Sequence, residues 1–510
     1  MNAPDSGRTG EVLVVGAGPA GLTLAAELAR AGVACTVVDQ RLEPSTRSRA
    51  FGLQPVTLEL LDGRGLADRL VGEGIAWSAA PVGDGVRWLR FDDLPTRFPY
   101  MLIIPQTDTE RVLAGWALDC GAKLRRGVTL ERMRDDGDGV STWLSTAAGV
   151  ESARWDYVVG CDGVRSTVRR LAGIDFRGRD YPHSLVVADA VLDRPPAERV
   201  VGRSVPRGMI ALFPFPDGTY RVVVEDNLRM DLPVTAEVTR AELLDSMWAV
   251  LGDDYGLADV IWASRYRSQQ RQATTYRKGR VLLAGDAAHT HIPSGGQGLQ
   301  LGIADSLNLG WKLAAVVRGE SAEPLLDTYH EERWPLAAAA LRKTDLLFRF
   351  NTASSPPARA ARWVGVKAST LPLVRSQVVG EMAGLDVSYG SLRGRRGSHR
   401  LVGRRHPDTF VAQVRLGRSP ARQTADPLRL AEVLRLGRAV LVDGGDGELT
   451  ARASSGWAER VATCVPAGPR PAPRGAAVLV RPDGFTAWVG KDWPGLAAAL
   501  RGWCGPARPG

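Results

Sequence analysis

Between an apolar run, Glu11–Val15, and a helix-forming stretch, Ala20–Ala31, lies Gly16-Ala17-Gly18-Pro19-Ala20-Gly21. No other segment restricts the possible folds as much. Gly16 permits a tight turn out of the strand, Gly18 lets a pyrophosphate approach the backbone, and Gly21 lets helix and strand pack closely. The first helical amides then point at the anion, and the positive end of the helix dipole favours it. Gly32 ends the helix and Val33–Asp39 reads as the next strand, so the unit is β-α-β and a parallel sheet is expected. Asp39 closes that strand, followed by Gln40, where a carboxylate can grip a ribose hydroxyl. Strand, turn, helix and acid together specify a dinucleotide site.

A second motif says which dinucleotide. After the strand Arg280–Ala284 come Gly285-Asp286-Ala287-Ala288-His289, then Pro293 and Gly295-Gly296-Gln297-Gly298-Leu299. A strand ending in Gly-Asp presents a carboxylate to a ribityl or ribose hydroxyl. The glycines expose amides at the start of the next helix, which stabilise negative charge at the N1/C2 edge of a reduced isoalloxazine. The cofactor expected is therefore FAD. The plainer alternative is a strand–turn–helix whose Asp only caps the helix. Between the two motifs stands Cys161-Asp162-Gly163-Val164-Arg165-Ser166, followed by Val168 and Arg169. Asp162 can brace this turn against a nucleotide, with Arg165 and Arg169 meeting phosphates or carboxylates. An Asx-type turn with surface arginines fits the same residues.

The fold class expected is α/β: a discontinuous nucleotide domain over residues 10–175 and 271–390, an inserted sheet domain over 176–270, and a C-terminal unit over 400–510. Ser184–Leu192, Met209–Phe215 and Thr219–Glu225 carry β-rich patterns, the last two joined at Pro216-Asp217-Gly218. In the C-terminal unit, Arg438–Asp443, Ala476–Val480 and Phe485–Val489 read as strands and Trp493–Trp503 as a helix.

Composition narrows the classes. The 5 cysteines are scattered without metal-ligand or disulfide-scaffold spacing. His289 and His291 lack a third ligand nearby, so no metal is expected. Neither a signal-peptide pattern nor a membrane-length apolar run is present, which points to the cytoplasm and away from a membrane. The net charge of +9 is dispersed. Only Arg393, Arg395, Arg396 and Arg400 cluster, and they read as a solvated connection, not a nucleic-acid surface.

The order GxGxxG, DGxxS with a trailing Arg, then GDAAH…P…GGQG resembles the group A flavoprotein aromatic hydroxylases. These are single-component FAD monooxygenases such as para-hydroxybenzoate hydroxylase, phenol hydroxylase and the aromatic polyketide hydroxylases. The likeness covers about residues 10–350. It implies that Arg49 lies near the FAD pyrophosphate, that Gln106 contacts the ribityl region, and that Asp162 serves both FAD and the nicotinamide cofactor. Asp286 would hold the ribityl chain, and Gly296, Gly298 and Leu299 would lie against the isoalloxazine, with Pro293 in the same loop. Gln300, Ala304 and Ser306 depart from the family pattern. The C-terminal unit resembles the family's thioredoxin-like domain through Gly403-Arg404-Arg405-His406-Pro407-Asp408 and Arg481-Pro482-Asp483-Gly484-Phe485, but lacks CxxC.

The resemblance implies that NADPH or NADH reduces the flavin, and that dioxygen then gives a C4a-(hydro)peroxide which hydroxylates an aromatic, polyketide or phenolic substrate. The protein would be a monomer or homodimer. No general base can be assigned. Ala211–Phe215 resembles the substrate-facing sheet, and Trp77 and Trp88 are candidates for the cleft. Baeyer–Villiger or epoxidising oxygen insertion fits the same motifs, as does a flavin-binding module without catalysis. An NAD-only dehydrogenase explains Gly16–Asp39 but not Gly285–Leu299.

Overall fold

The computed structural model describes residues 10–47, 50–82, 87–292, 296–352, 356–369, 371–393, 399–417, 426–469 and 471–508. Its organising feature is a 6-stranded sheet in the order Arg277–Lys278, Val281–Leu283, Tyr157–Gly160, Glu11–Val15, Ala34–Asp39, Lys123–Arg126. Glu11–Val15 pairs in parallel with Ala34–Asp39 and Tyr157–Gly160, and the latter pairs in parallel with Val281–Leu283. Val12, Leu13 and Val14 are fully buried. Their unbroken apolar run suits a parallel strand covered on both faces. Three motifs far apart in the chain thus leave the carboxyl ends of three adjacent strands, where ligands of open α/β sheets bind.

The helix after the glycine turn spans Pro19–Arg30, with proline in its first turn, where the missing N–H leaves no bond unmade. The second motif opens the helix Gly298–Val317. The first lies within a residue of the Ala20–Ala31 stretch expected from sequence. The antiparallel strands Thr129–Asp135, Val140–Thr146 and Gly149–Trp155 were not anticipated; they form a separate small sheet.

A second 6-stranded sheet runs Val201–Val205, Gly208–Pro214, Tyr220–Asp226, Phe176–Leu192, Leu257–Ala273, His289–Thr290. The strand Leu257–Ala273 continues past residue 270, and His289–Thr290 joins it directly after the Gly-Asp turn. The sheet and the nucleotide motif are therefore physically continuous. One face is covered by a helix that strand-rich texture concealed, Arg240–Leu251, capped by Thr239 and ended by Gly252 at φ 79°. Leu243, Met247 and Val250 pack on Ile210, Leu212, Val222 and Val224.

The C-terminal sheet has the order Leu428–Arg429, Phe410–Arg415, Val461–Pro466, Ala439–Asp443, Ala477–Val480, Thr486–Gly490, followed by the helix Trp493–Cys504. Cys464 and Cys504 are buried, and burial pushes both thiols up to about 12. At that value they stay protonated and unreactive.

A buried ionic network fastens this unit to the rest. Arg481 donates to Glu332 at 2.6 and 3.0 Å and to Asp483 at 2.5 Å; Lys312 donates to Glu332 at 2.9 Å. Asn308 completes it, donating to Glu332 at 2.7 Å and to Asp483 at 3.3 Å. Removing one member leaves an opposite charge buried and uncompensated, so Glu332→Ala is expected to lower the unfolding free energy by about 3–5 kcal/mol. A change below about 0.5 kcal/mol in denaturant titrations would show the network to be dispensable.

Burial raises the Glu332 carboxyl, but Arg481 and Lys312 outweigh it and hold the group at about 2, below its ordinary 4.5. A depressed folded value contributes stability above the unfolded value and loses it on acidification. Wild-type melting temperature should therefore fall between pH 4.5 and about 2 by more than that of Glu332→Gln.

Candidate active site

The three motif glycines do different work. Gly16 sits at φ +108°, its N–H donates to the Val38 carbonyl at 2.7 Å, and a Cβ there would meet the Cys161 carbonyl oxygen at 2.3 Å. A Cβ on Gly21 would meet the Gly16 oxygen at 1.9 Å. A Cβ on Gly18 meets no protein atom within 4 Å, although the backbone there, φ −85° and ψ −177°, suits any residue. The protein itself requires the first and third glycines; the middle one borders an open cradle at a helix N-terminus.

Asp39 braces that turn from the neighbouring strand. Its carboxylate accepts from the Ala17 N–H at 2.7 Å, the Arg41 N–H at 2.9 Å and the Arg41 guanidinium at 3.0 and 3.1 Å. Burial raises its pKa, but the Arg41 side chain and the two amides outweigh that and hold the carboxyl below its usual range. Gln40 is exposed beside it. Gln106 opens the helix Gln106–Asp119 and donates to Glu110 at 2.6 Å; burial pushes that carboxyl up. Arg49 and Pro293 lie outside the described residues.

In the middle motif, Asp162 accepts from Ser166 Oγ at 2.5 Å and from the N–H groups of Thr167 and Val168 at 2.6 and 3.1 Å. The Asx-type bracing is what the protein contacts show. Among the described residues Arg169 donates to the Ala287 and Val164 carbonyls, each at 2.8 Å, and lies 3.7 Å over the Phe176 ring. It therefore clips the Asp162 turn to the Gly285–Ala287 turn. Arg165 is exposed.

Asp286 is the opposite case. Its side chain is solvent-accessible and has no hydrogen-bond partner among the described residues. The protein packed around it nevertheless desolvates the carboxyl and pushes it up. With no donor among the described residues, that carboxylate keeps its acceptor capacity for a hydroxyl from outside the protein. Beneath it, fully buried Asp305 accepts from the Gly285 N–H at 3.2 Å, from Arg333 Nε at 2.7 Å, and pairs with His289 Nε2 at 2.6 Å. Burial raises Asp305, and His289 and Arg333 outweigh it. His289 thus belongs to an ionic support under the loop. His291 bonds the Ile292 carbonyl at 2.6 Å, and burial pushes it down to about 4.

Gly296 at φ +62°, Gly298 and Leu299 lead into the helix Gly298–Val317. Two of the family departures have local reasons. Gln300 donates to the Gly52 carbonyl at 2.6 Å, tying the strand Gly52–Leu53 to this loop, and Ser306 Oγ donates to the Ala20 carbonyl at 2.7 Å. Nothing in the structure explains Ala304.

The inserted sheet presents its second face towards this loop. Within Ala211–Phe215, Leu212 points into the core under the helix, while the Phe213 ring lies 4.6 Å from the Phe51 ring at a tilt of 42°. Trp77 packs in the same apolar cluster, with Trp88 6.0 Å from it. Arg221, 1 % exposed, donates to Asp189 at 2.6 Å, and Trp262 Nε1 donates to the same carboxylate at 2.5 Å. Asp305, Arg333, Arg221 and Asp189 were not singled out from sequence. Asp305 and Lys312, two charges inside an otherwise apolar helical run, were the available signal.

A parallel sheet whose strand ends bring together an open glycine cradle at a helix N-terminus, a carboxylate without a donor among the described residues and a glycine-opened helix suits a flavin nucleotide. Two family models match: "FAD binding domain" over residues 9–344 and "Aromatic-ring hydroxylase, C-terminal" over 399–507. The chain belongs to the FAD-dependent aromatic-ring hydroxylases. It is 39% identical to a 12-dehydrotetracycline 5-monooxygenase/anhydrotetracycline 6-monooxygenase of Streptomyces rimosus, over 97% of this chain and 99% of the relative. It is 34% identical to a dialkyldecalin synthase of Streptomyces rugosporus, over 97% and 99%. The solved OxyS anhydrotetracycline hydroxylase of Streptomyces rimosus superposes with a TM-score of 0.84 at 36% identity, covering 98% of this chain and 99% of that one. The protein is a single-component FAD-dependent monooxygenase. No described helix is long and apolar enough to cross a membrane.

Gly18→Val should leave the fold intact while cutting bound FAD to less than about a tenth per chain, because only the ligand would clash. Gly21→Val should instead lower soluble yield and melting temperature, since its side chain strikes backbone at 1.9 Å. Equal flavin content in Gly18→Val and wild type, by absorbance of the purified proteins, would contradict the cradle.

Proposed function

We propose that the chain hydroxylates a fused-ring phenolic compound of polyketide type, with NADPH or NADH as electron donor and dioxygen as the oxygen source. One observation carries this reading: the face of the inserted sheet opposite its helix is lined by apolar and aromatic side chains and abuts the flavin loop. Leu185, Val187, Tyr266, Ile292 and Phe348 form one cluster there, with Val223 and Trp262 packed against it. The printed activity of the tetracycline relative supports the same substrate class.

When bound, FAD supplies hydride acceptance and oxygen activation. The chain's own residues supply the placement. Gly16–Gly21 and Asp39 shape the nucleotide cradle, and Asp286 offers its carboxylate to a ribityl hydroxyl. Gly285 and His289, held by Asp305, fix the height of the Asp286 loop. The amides opening the helix at Gly298 would stabilise the negative charge that a bound flavin gathers on reduction. Phe51, Phe213 and Ile292 keep water from the reacting ring. Asp162 and Arg169 hold the adjoining turns together. Location in the cytoplasm, as a monomer or homodimer, accompanies this reading.

A second reading, an FAD-binding scaffold without oxygenation, draws on the similarity to the dialkyldecalin synthase. One assay separates them. Purified holoprotein should oxidise NADPH at least about tenfold faster with a hydroxylated polycyclic compound present, and yield a product one oxygen heavier by mass spectrometry. Unstimulated oxidation with no oxygenated product across a panel of such compounds would favour the scaffold.

A further inference from the structure

The strand Tyr220–Asp226 alternates between two surroundings. Tyr220, Val222 and Val224 enter the core beneath the helix Arg240–Leu251, which sends Arg221, Val223 and Glu225 to the cleft-facing side. Arg221 is committed to Asp189. Val223 packs on the cluster containing Tyr266 and Ile292. Glu225, opposite Met209 in the neighbouring strand, is only 7 % exposed. No donor among the described residues reaches its carboxyl.

That combination calls for an explanation. Buried carboxyls normally take hydrogen bonds from the protein, and one left without them carries an uncompensated desolvation cost. The other acids on this sheet follow the norm: Asp189 is held by Arg221 and Trp262, and Asp226 by Arg207, Arg229 and Ser246. Glu225 alone on the cleft-facing side of its strand is an acceptor without a donor. It lies four residues along the strand from Arg221, about 14 Å away, a span comparable to a linear fused-ring system.

We propose that Glu225 is the cleft's proton acceptor for a ring hydroxyl of the substrate, an inference that rests on the phenolic reading above. The hydroxyl O–H bond breaks and the proton moves to a Glu225 carboxylate oxygen. The electron pair stays on the substrate oxygen and raises electron density at the ring carbons ortho and para to it. Burial alone pushes the Glu225 carboxyl up to about 7, in the range of acidic phenols. Matched acidities of that kind make transfer efficient in both directions.

The test uses FAD-loaded protein and two probes, 2-hydroxyanthraquinone and its methyl ether, 2-methoxyanthraquinone, in buffer where the free phenol is protonated. Wild type should bind the hydroxy compound about tenfold more tightly than the ether and generate its phenolate absorption band on binding. Glu225→Gln, with unchanged flavin content and melting temperature, should lose both the band and the preference. A phenolate band and preference that persist in Glu225→Gln would overturn the assignment while leaving the phenolic reading intact. Failure of wild type to bind either probe would overturn the fused-ring reading and this inference with it. The wild-type comparison of the two probes stands whether or not the variant folds: equal affinity, without a phenolate band, also overturns the assignment.

Discussion

Two buried ion pairs between one pair of helices hold the architecture together. Asp305 and Lys312 lie two turns apart on the helix Gly298–Val317, and the adjacent residues Arg333 and Glu332 of the helix Asp327–Thr352 answer them. The charges alternate in sign, so the helices can meet in only one register without burying like charges together. From that register two branches run outwards. Asp305 reaches the Gly285 amide and His289 under the flavin loop, and Glu332 reaches Arg481 in the C-terminal unit. The cofactor loop and the C-terminal unit are thus anchored to neighbouring residues of a single helix. This assigns the C-terminal unit a bracing role that needs no thiol chemistry of its own.

Much of this was legible in the chain. The glycine turn, its flanking strand and helix, and the strand leading to Gly285 all appear within a residue or two of where periodicity puts them. Each is set by local chemistry: φ above zero, proline in the first turn, apolar runs. The helix Arg240–Leu251 was not seen, because short strands on both sides set the texture and its apolar face is only Leu243, Met247 and Val250. The strands between residues 129 and 155 were missed because exposed charges interrupt their alternation, as in Thr129–Asp135, where only Leu130 is buried.

Of the site, sequence located the loops but not the division of labour within them. Asp39, Asp162 and Asp286 are three acids at three strand ends, indistinguishable by composition. In the fold, Asp39 and Asp162 take amides and side chains of the protein, and Asp286 takes none among the described residues. Which acid faces the ligand depends on donors supplied by distant segments, and no local pattern encodes that. The same holds for Arg169, whose partners lie on the turn at Ala287. Long-range pairing also decides the cleft: Arg221 is neutralised by Asp189, directly opposite it on the neighbouring strand, while Glu225 on the same strand meets no such partner among the described residues.

The central claim is that segments around Gly18, Asp286 and Gly298 form one FAD site. A crystal structure of the FAD-loaded protein tests it directly. The pyrophosphate is expected against Gly18, a ribityl hydroxyl within hydrogen-bond reach of Asp286, and the isoalloxazine edge at the amides near Gly298. An FAD pyrophosphate seated away from Gly18, with Asp286 still facing solvent, would contradict it.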